Sequence, residues 1–270
     1  MPALLLAALA LAAPAPDAGA VEPPNLTHLA SPPWHLVDLW WNLGQPMVFQ
    51  SLSVDVTFDD DLDPSLNLYV STFGKLSGQQ FYGGLQTHSR GRTRTEPTVK
   101  DIGPGTIFSR WGPRSDDQLL TAKGGVYETA SYEGDFASVR LPFSWHKGTY
   151  TLRFTRTAAH WVGMFVRDHA TREESLVGEL QFESDAPVLD QYVVGFIELY
   201  GQPIPVEKIP KTTIRLSHLL VNDQVAPVHV NANFADGTPD VTRCAFENGE
   251  VVCRLGVPTS RNALRKDHLF

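Results

Sequence analysis

Apolar side chains recur at every second position through long parts of this 270-residue chain, and that period most restricts its fold. In Leu52–Phe58, residues Leu52, Val54, Val56 and Phe58 share one face and Ser53, Asp55 and Thr57 the other. Tyr150, Leu152 and Phe154 alternate with Thr149, Thr151, Arg153 and Thr155, and Leu176, Leu180 and Phe182 with Val177, Glu179 and Gln181. A strand turns successive side chains to opposite faces, so this spacing marks half-buried strands. Trp161–Val166 and Tyr192–Tyr200 are apolar on both faces and read as central strands; Ile214–Val221 and Ala226–Phe234 are further candidates. No segment of helical length carries apolar residues at the spacing of an amphipathic helix. The 21 Gly and 20 Pro are spread as punctuation between short strands. The pattern predicts an all-β chain with few or no helices, an antiparallel, jelly-roll-like β-sandwich of roughly ten to fourteen strands.

Met1–Ala20 has the anatomy of a secretory signal peptide. Leu4–Ala13 is an apolar run, and Ala18-Gly19-Ala20 is a small-x-small cleavage signature. The run is too short to cross a bilayer, and no later segment approaches the length that could. The expected organisation is a leader over 1–20, a Pro-rich tail over 21–30 and one β-sandwich domain over 31–270 that ends in a disulfide hairpin. The expected location is secreted or periplasmic, with no membrane span.

The two cysteines lie in Cys244-Ala-Phe-Glu-Asn-Gly-Glu-Val-Val-Cys253. Asn248-Gly249 is a strong signal for a type I′ hairpin turn. Folding about it pairs Glu247 with Glu250, Phe246 with Val251, Ala245 with Val252 and Cys244 with Cys253. The cysteine pair falls on a non-hydrogen-bonded position, where Cα atoms stand about 4.5 Å apart, within reach of a disulfide. An oxidised pair also agrees with export.

Net charge is −8, and loss of the leader removes Asp17 and no base, which leaves −7. There is no basic excess of the kind a nucleic-acid partner requires. No H-E-x-x-H, G-x-S-x-G, C-x-x-C or phosphate-binding loop is present, which removes several enzyme classes.

Several side-chain groups invite a site. Asp59, Asp61 and Asp63 resemble the start of a calcium loop, but Pro64 and Val70 stand where an EF-hand needs Gly and Glu. A simpler calcium site there is a weak possibility, and a solvated turn explains the three aspartates better; no other cofactor is expected. Arg90, Arg92 and Arg94 read as loop charge that an anion could use. Glu133, Glu198 and Asp168 are the carboxylates nearest aromatic or basic residues, and Glu133 with Glu198 is the pair a glycosidase would use. His146 and His160 neighbour a Trp and a turn, where a structural role is common. The densest segment is Tyr132–Phe154, with Glu133, Arg140, Trp145, His146 and Arg153 on two strands and a turn. Of the tryptophans, Trp111 and Trp161 read as core, and Trp145, before a turn in Pro142-Phe-Ser-Trp-His-Lys-Gly148, as the best exposed ring.

Phe81-Tyr82-Gly83-Gly84-Leu85-Gln86, Phe108-Ser109-Arg110-Trp111-Gly112, Glu133-Gly134 and Trp145-x-x-Gly148-x-Tyr150-x-x-Arg153-Phe154 occur in that order. The series resembles the secreted domain-of-unknown-function family 3472, whose motifs read Y-F-G-x-Q, F-S-x-W, E-G and W-x-x-G-x-Y-x-F. Phe196-Ile197-Glu198 and Arg215 resemble later elements of it. The resemblance spans Val54–Val221 and implies a β-sandwich and export, while the family's activity is unsettled.

These observations lead to an expectation of a non-catalytic protein that binds a glycan or polysaccharide through Tyr82, Gln86, Arg110, Glu133, Trp145 and Arg153. Rings would stack on sugar faces and polar groups would fix hydroxyls. The alternatives are a glycan-cleaving enzyme using Glu133 and Glu198, and an exported structural or adhesive module.

Overall fold

The structure, a computed structural model, describes residues 29–30, 34–132, 134–201, 204–260 and 265–270. The expected leader lies outside the described residues, as does most of the Pro-rich tail. The first strands are β1 (Leu29–Ala30), β2 (Trp34–Asn42), β3 (Met47–Val48), β4 (Ser51–Phe58), β5 (Leu68–Leu76), β6 (Gln79–Gly91) and β7 (Lys100–Trp111). Next come β8 (Leu119–Thr121), β9 (Val126–Ala130), β10 (Phe136–Pro142), β11 (Gly148–Ala158), β12 (Trp161–Asp168), β13 (Glu174–Gln181) and β14 (Val188–Leu189). The last are β15 (Tyr192–Leu199), β16 (Ile204–Pro205), β17 (Thr213–Val221), β18 (His229–Asn233), β19 (Thr242–Glu247), β20 (Glu250–Leu255) and β21 (Lys266–His268). Among the described residues the only helical segments are two single 3-10 turns, at Asp116–Gln118 and Val206–Lys208.

Two antiparallel sheets pack face to face, as the period-two pattern predicts. The larger runs β21-β18-β2-β15-β5-β6-β7-β10-β9, with β14 and β3 attached beside β5. The smaller runs β19-β20-β17-β4-β11-β12-β13-β8. Among the described residues the twenty-one strands exceed the expected count because several are two- or three-residue pairings too short to leave a periodic signal.

Alternation builds the core directly. Leu52, Val54, Val56 and Phe58 of β4 and Tyr150, Leu152 and Phe154 of β11 all turn inward and are almost fully buried. Each such side chain contributes about 1.5–3 kcal/mol by leaving water. From the larger sheet, Phe81 meets Phe154 and Phe182 at centroid distances of 5.3 and 6.1 Å, so the sheets interlock through aromatic rings. Gly83 permits this approach: a Cβ there would lie 2.6 Å from Met164 Sδ and 2.7 Å from Phe154 Cε1.

Strand β13 departs from strict alternation. The pairing shifts between Met164 and Phe165, opposite Gly178, and Val177 turns inward with Leu180 while Leu176 is left half-buried. A bulge of this kind changes which parity faces the core.

The Cys244–Cys253 disulfide forms with its Cα atoms 4.2 Å apart. The hairpin register is the one the Asn-Gly turn predicts, from Glu247↔Glu250 to Cys244↔Cys253. The bridge closes a short loop, so about 2–3 kcal/mol of stabilisation is expected from it. Urea unfolding of a Cys244→Ala/Cys253→Ala variant should show that loss with the folded state retained; an unchanged midpoint would show that the bridge contributes nothing.

Candidate functional site

The residues singled out in the sequence do not converge. Tyr82 and Gln86 lie on β6 and face away from the second sheet. Arg110 takes the opposite parity on β7 and lies between the sheets, 1% exposed. Its guanidinium donates to the carbonyls of Gln181 (2.6 Å) and Pro113 (2.8 Å) and to Gln118 Oε1 (2.9 Å). Burial draws its pKa down to about 10, with Glu183 opposing. Arg110 is therefore a clamp on neighbouring segments.

Trp145 is core, not an exposed ring. It is 7% exposed, packs on Phe58 at 4.6 Å and donates from Nε1 to the carbonyl of Gln86 at 3.0 Å. The turn that suggested exposure instead folds the indole into the end of the sandwich. Arg153 emerges on the outer face of the smaller sheet, because Leu152 and Phe154 on either side point in. There it bonds Glu174 at 3.2 and 2.8 Å and covers the Phe165 ring at 4.5 Å. Glu133 lies outside the described residues.

The aspartate turn is committed elsewhere. Asp59 forms a two-pronged pair with Arg215 (2.9 and 2.8 Å), and that bonding holds its carboxyl below the usual range. Asp61 accepts from the Lys147 backbone N–H, and Asp63 from that of Ser65. Among the described residues no group of three His, Cys, Asp or Glu is placed to hold a metal ion. Arg92 and Arg94 pack over the Tyr127 ring at 5.1 and 5.7 Å, and Tyr127 in turn donates to Asp116 at 2.8 Å.

The residues that do converge lie on the outer face of the larger sheet. Register places Phe196 opposite Ser71, Phe73 opposite Tyr82, Tyr82 opposite Ser109, and Gln86 opposite Tyr69. Tyr69, Ile107 and Phe196 form a second apolar cluster, separate from the core, flanked by half-buried Phe73, Tyr82 and Tyr200. Ring contacts continue across the sheet: His35 stacks on Phe196 (5.0 Å), Phe196 meets Tyr82 (6.1 Å), and Tyr82 meets Trp111 (5.1 Å). Trp111, expected in the core, is half-buried here because it has the parity opposite to Arg110.

Polar groups stand among the rings. Arg140 on β10 is almost fully buried and pairs with Glu128 at 2.7 Å. Burial is the largest influence and works against its charge, but Glu128, Tyr69 and Tyr82 together outweigh it and the pKa is raised. Ser109 donates to Ser138 at 2.8 Å, and Gln86 Oε1 accepts from Ser89 at 2.8 Å. Burial lifts the Tyr69 hydroxyl well above its ordinary value, and Tyr82 beside it adds to the shift. Beside Phe196, His35 Nδ1 lies 2.5 Å from Asp38 Oδ1 and Nε2 lies 3.9 Å from Glu198 Oε1. Burial tends to lower the His35 pKa; the hydrogen bond and charge of Asp38, with Glu198, overcome that and raise it to about 9. Of the whole face, Tyr82, Gln86, Arg140 and Glu198 stand out in the sequence as site candidates. The usable signal for the rest was the double-sided apolar pattern of Tyr192–Tyr200: one parity serves the core, so the other, with Phe196 and Glu198, serves the outer face.

No family model and no curated protein matches the chain. Among solved structures, scytalido-glutamic peptidase with a peptide-based transition-state analogue is 11% identical, with a TM-score of 0.44 over 80% of this chain and 97% of that one. A second structure of that peptidase, with a transition-state analogue inhibitor, is 9% identical at TM-score 0.44 over 83% and 98%. SCP-B, a member of the Eqolisin family of peptidases in complex with the tripeptide Ala-Ile-His, is 11% identical at TM-score 0.39 over 80% and 97%. Likeness at this level carries nothing about activity to this chain.

Two measurements check this description. An NMR titration should place the His35 midpoint near pH 9, and Asp38→Asn should lower it; a wild-type midpoint at the ordinary value of 6.5 would contradict the cluster. A raised folded-state pKa means that the stability contributed by His35 is complete below about pH 6.5 and fades as pH rises through about 9. Trp145→Ala should cost about 3–5 kcal/mol of unfolding free energy, as for a large core ring, and a change below 1 kcal/mol would return the indole to the surface.

Proposed function

We propose that the protein is an exported, non-catalytic module that binds a glycan or polysaccharide on the outer face of its larger sheet. One observation carries the reading: a continuous row of rings, from His35 through Phe196 and Tyr82 to Trp111, interleaved with hydrogen-bonding groups on a face the core does not need. Antiparallel sheets ordinarily solvate such a face, and a contiguous apolar patch on it marks a binding surface. Aromatic rings stack on the apolar faces of sugars, while the partly exposed carboxylates of Glu198 and Glu128 accept from hydroxyls. The disulfide fits an oxidising, extracellular or periplasmic setting.

Cleavage is the rival reading. Glu128 is committed to Arg140, and a catalytic acid needs a setting that keeps its proton near neutral pH. The feature that favours cleavage is the Asp38–His35–Glu198 cluster, where an oriented imidazole stands beside a carboxylate on the same face. A glycan-array screen with parallel product analysis tests both. Binding without products is expected, with Tyr82→Ala and Trp111→Ala each weakening it roughly tenfold or more, as buried aromatic anchors do. Products that Glu198→Gln abolishes would replace binder with enzyme, and silence across the array would leave a structural or adhesive module.

A further inference from the structure

We infer that β19 is a docking edge for a second copy of this chain, the two β19 strands pairing antiparallel about a two-fold axis at Ala245. Two sheets end in four edge strands, β21 and β9 on the larger, β19 and β8 on the smaller. An edge strand presents unpaired N–H and C=O groups that template pairing with another chain, and proteins guard such edges with short strands, charges, proline, bulges or cover. Strands β21 and β8 are three residues each, and β21 reads Lys266-Asp267-His268. The free side of β9 is covered at Tyr127, which exchanges two backbone bonds of 2.9 Å with Arg92. Strand β19 is six residues long, holds no Pro or Lys, and pairs with β20 without a register shift.

The hairpin register fixes which backbone groups are on offer. Glu247↔Glu250 closes the two-residue turn as a hydrogen-bonded pair, so Ala245 and Arg243 also turn their N–H and C=O towards β20. Those of Cys244 and Phe246 point away from it, and among the described residues no hydrogen bond reaches them. An open cleft of about 710 Å³ runs beside this edge, between Arg243–Phe246 and Lys266–Leu269. The Phe246 ring stands 40% exposed there, held from one side by Phe270 at 4.3 Å.

A copy of the same strand fits these groups. With Ala245 opposite Ala245, Cys244 of each chain meets Phe246 of the other as a hydrogen-bonded pair, and all the outward groups of those residues are used. Each Phe246 ring then lies beside the other chain's disulfide, which covers its exposed side. The same register sets Arg243 opposite Glu247 at both ends, so the charges are self-complementary, as an isologous two-fold contact requires. Arg243 is exposed and makes no hydrogen bond or ion pair among the described residues. Glu247 holds Arg254 at 2.9 and 2.8 Å, and its carboxylate has lone pairs left for a second guanidinium. The axis of such a pair stands perpendicular to the sheet, so both ring-lined faces of the dimer look to the same side, whatever ligand they take.

Sedimentation equilibrium of the intact protein over a rising concentration series should show the mass climbing from one chain to two. Arg243→Glu sets like charges opposite each other at both ends and should weaken the dimer roughly tenfold; Glu247→Arg should do the same. Mixing the two variants restores an opposite pair at both ends, so the mixture should dimerise as the wild type does, which a purely structural effect of either substitution would not produce. Ala245→Cys reads the register: its thiols meet across the axis on a non-hydrogen-bonded pair, Cα atoms about 4.5 Å apart, and should oxidise to a linked dimer on a non-reducing gel. Arg243→Cys should not, because its thiols stand about 14 Å apart. Circular dichroism checks that each variant folds; if Glu247→Arg, which loses the Arg254 pair, does not, the Arg243→Glu and cysteine variants still decide. A mass that stays at one chain would overturn the inference and leave the edge to an extended peptide of another protein. Equal linking of both cysteine variants, no weakening by Arg243→Glu, or growth beyond two chains would overturn it as well.

Discussion

The contact on which the rest of the molecule depends is the aromatic interlock between the sheets. Phe81 of β6 sits against Phe108, Phe154 and Phe182, with centroids 6.3, 5.3 and 6.1 Å away. Such pairs add about 0.5–1.5 kcal/mol each beyond the area they bury. Gly83, two residues on, must lack a side chain for Met164 and Phe154 to approach. With Phe81, Gly83 and Leu85 committed inward, Tyr82, Gly84 and Gln86 have no choice but the outer face. The ring-lined face is thus the other parity of the strand that closes the core.

That outer face carries a tension of its own. Its rings bury one another without a second layer, and Arg140 and Glu128 are enclosed along with them. An enclosed ion pair contributes little net stability, yet removing either partner strands a buried charge and is costly. Ser71 Oγ and Arg140 Nε are also buried, with no hydrogen-bond partner among the described residues. Buried polar groups are normally satisfied, and exceptions gather where structure serves function.

The misreadings have particular causes. Gly and Pro read as punctuation between strands, yet Gly83-Gly84 and Gly103-Pro104-Gly105 lie within long strands. The second sits where the β6–β7 register shifts between Gln86 and Ser89, and a bulge is where a strand tolerates proline. Arg90 likewise belongs to β6 instead of a loop. Trp145 looked exposed because it precedes a turn, but its indole N–H finds the Gln86 carbonyl at the end of the sandwich, which satisfies its one polar atom while the ring is buried. Arg110 and Arg153 carry the same side chain on β-strands and end up between the sheets and outside the smaller sheet, respectively.

The sequence by itself determined what short-range rules decide. Period-two alternation set an all-β sandwich and named most of the core of β4 and β11, and the Asn248-Gly249 turn set the hairpin register that brings Cys244 to Cys253. Only the tertiary structure decided the site. His35, Tyr69, Tyr82, Trp111, Arg140 and Phe196 come from six strands, and the consecutive β5–β7 meet His35 and Phe196 on one face only through long-range pairings of β15 with β2 and β5. Each strand announces two faces, but which one closes the core and which strand lies beside it depends on contacts spread over the whole chain, and no local pattern encodes those.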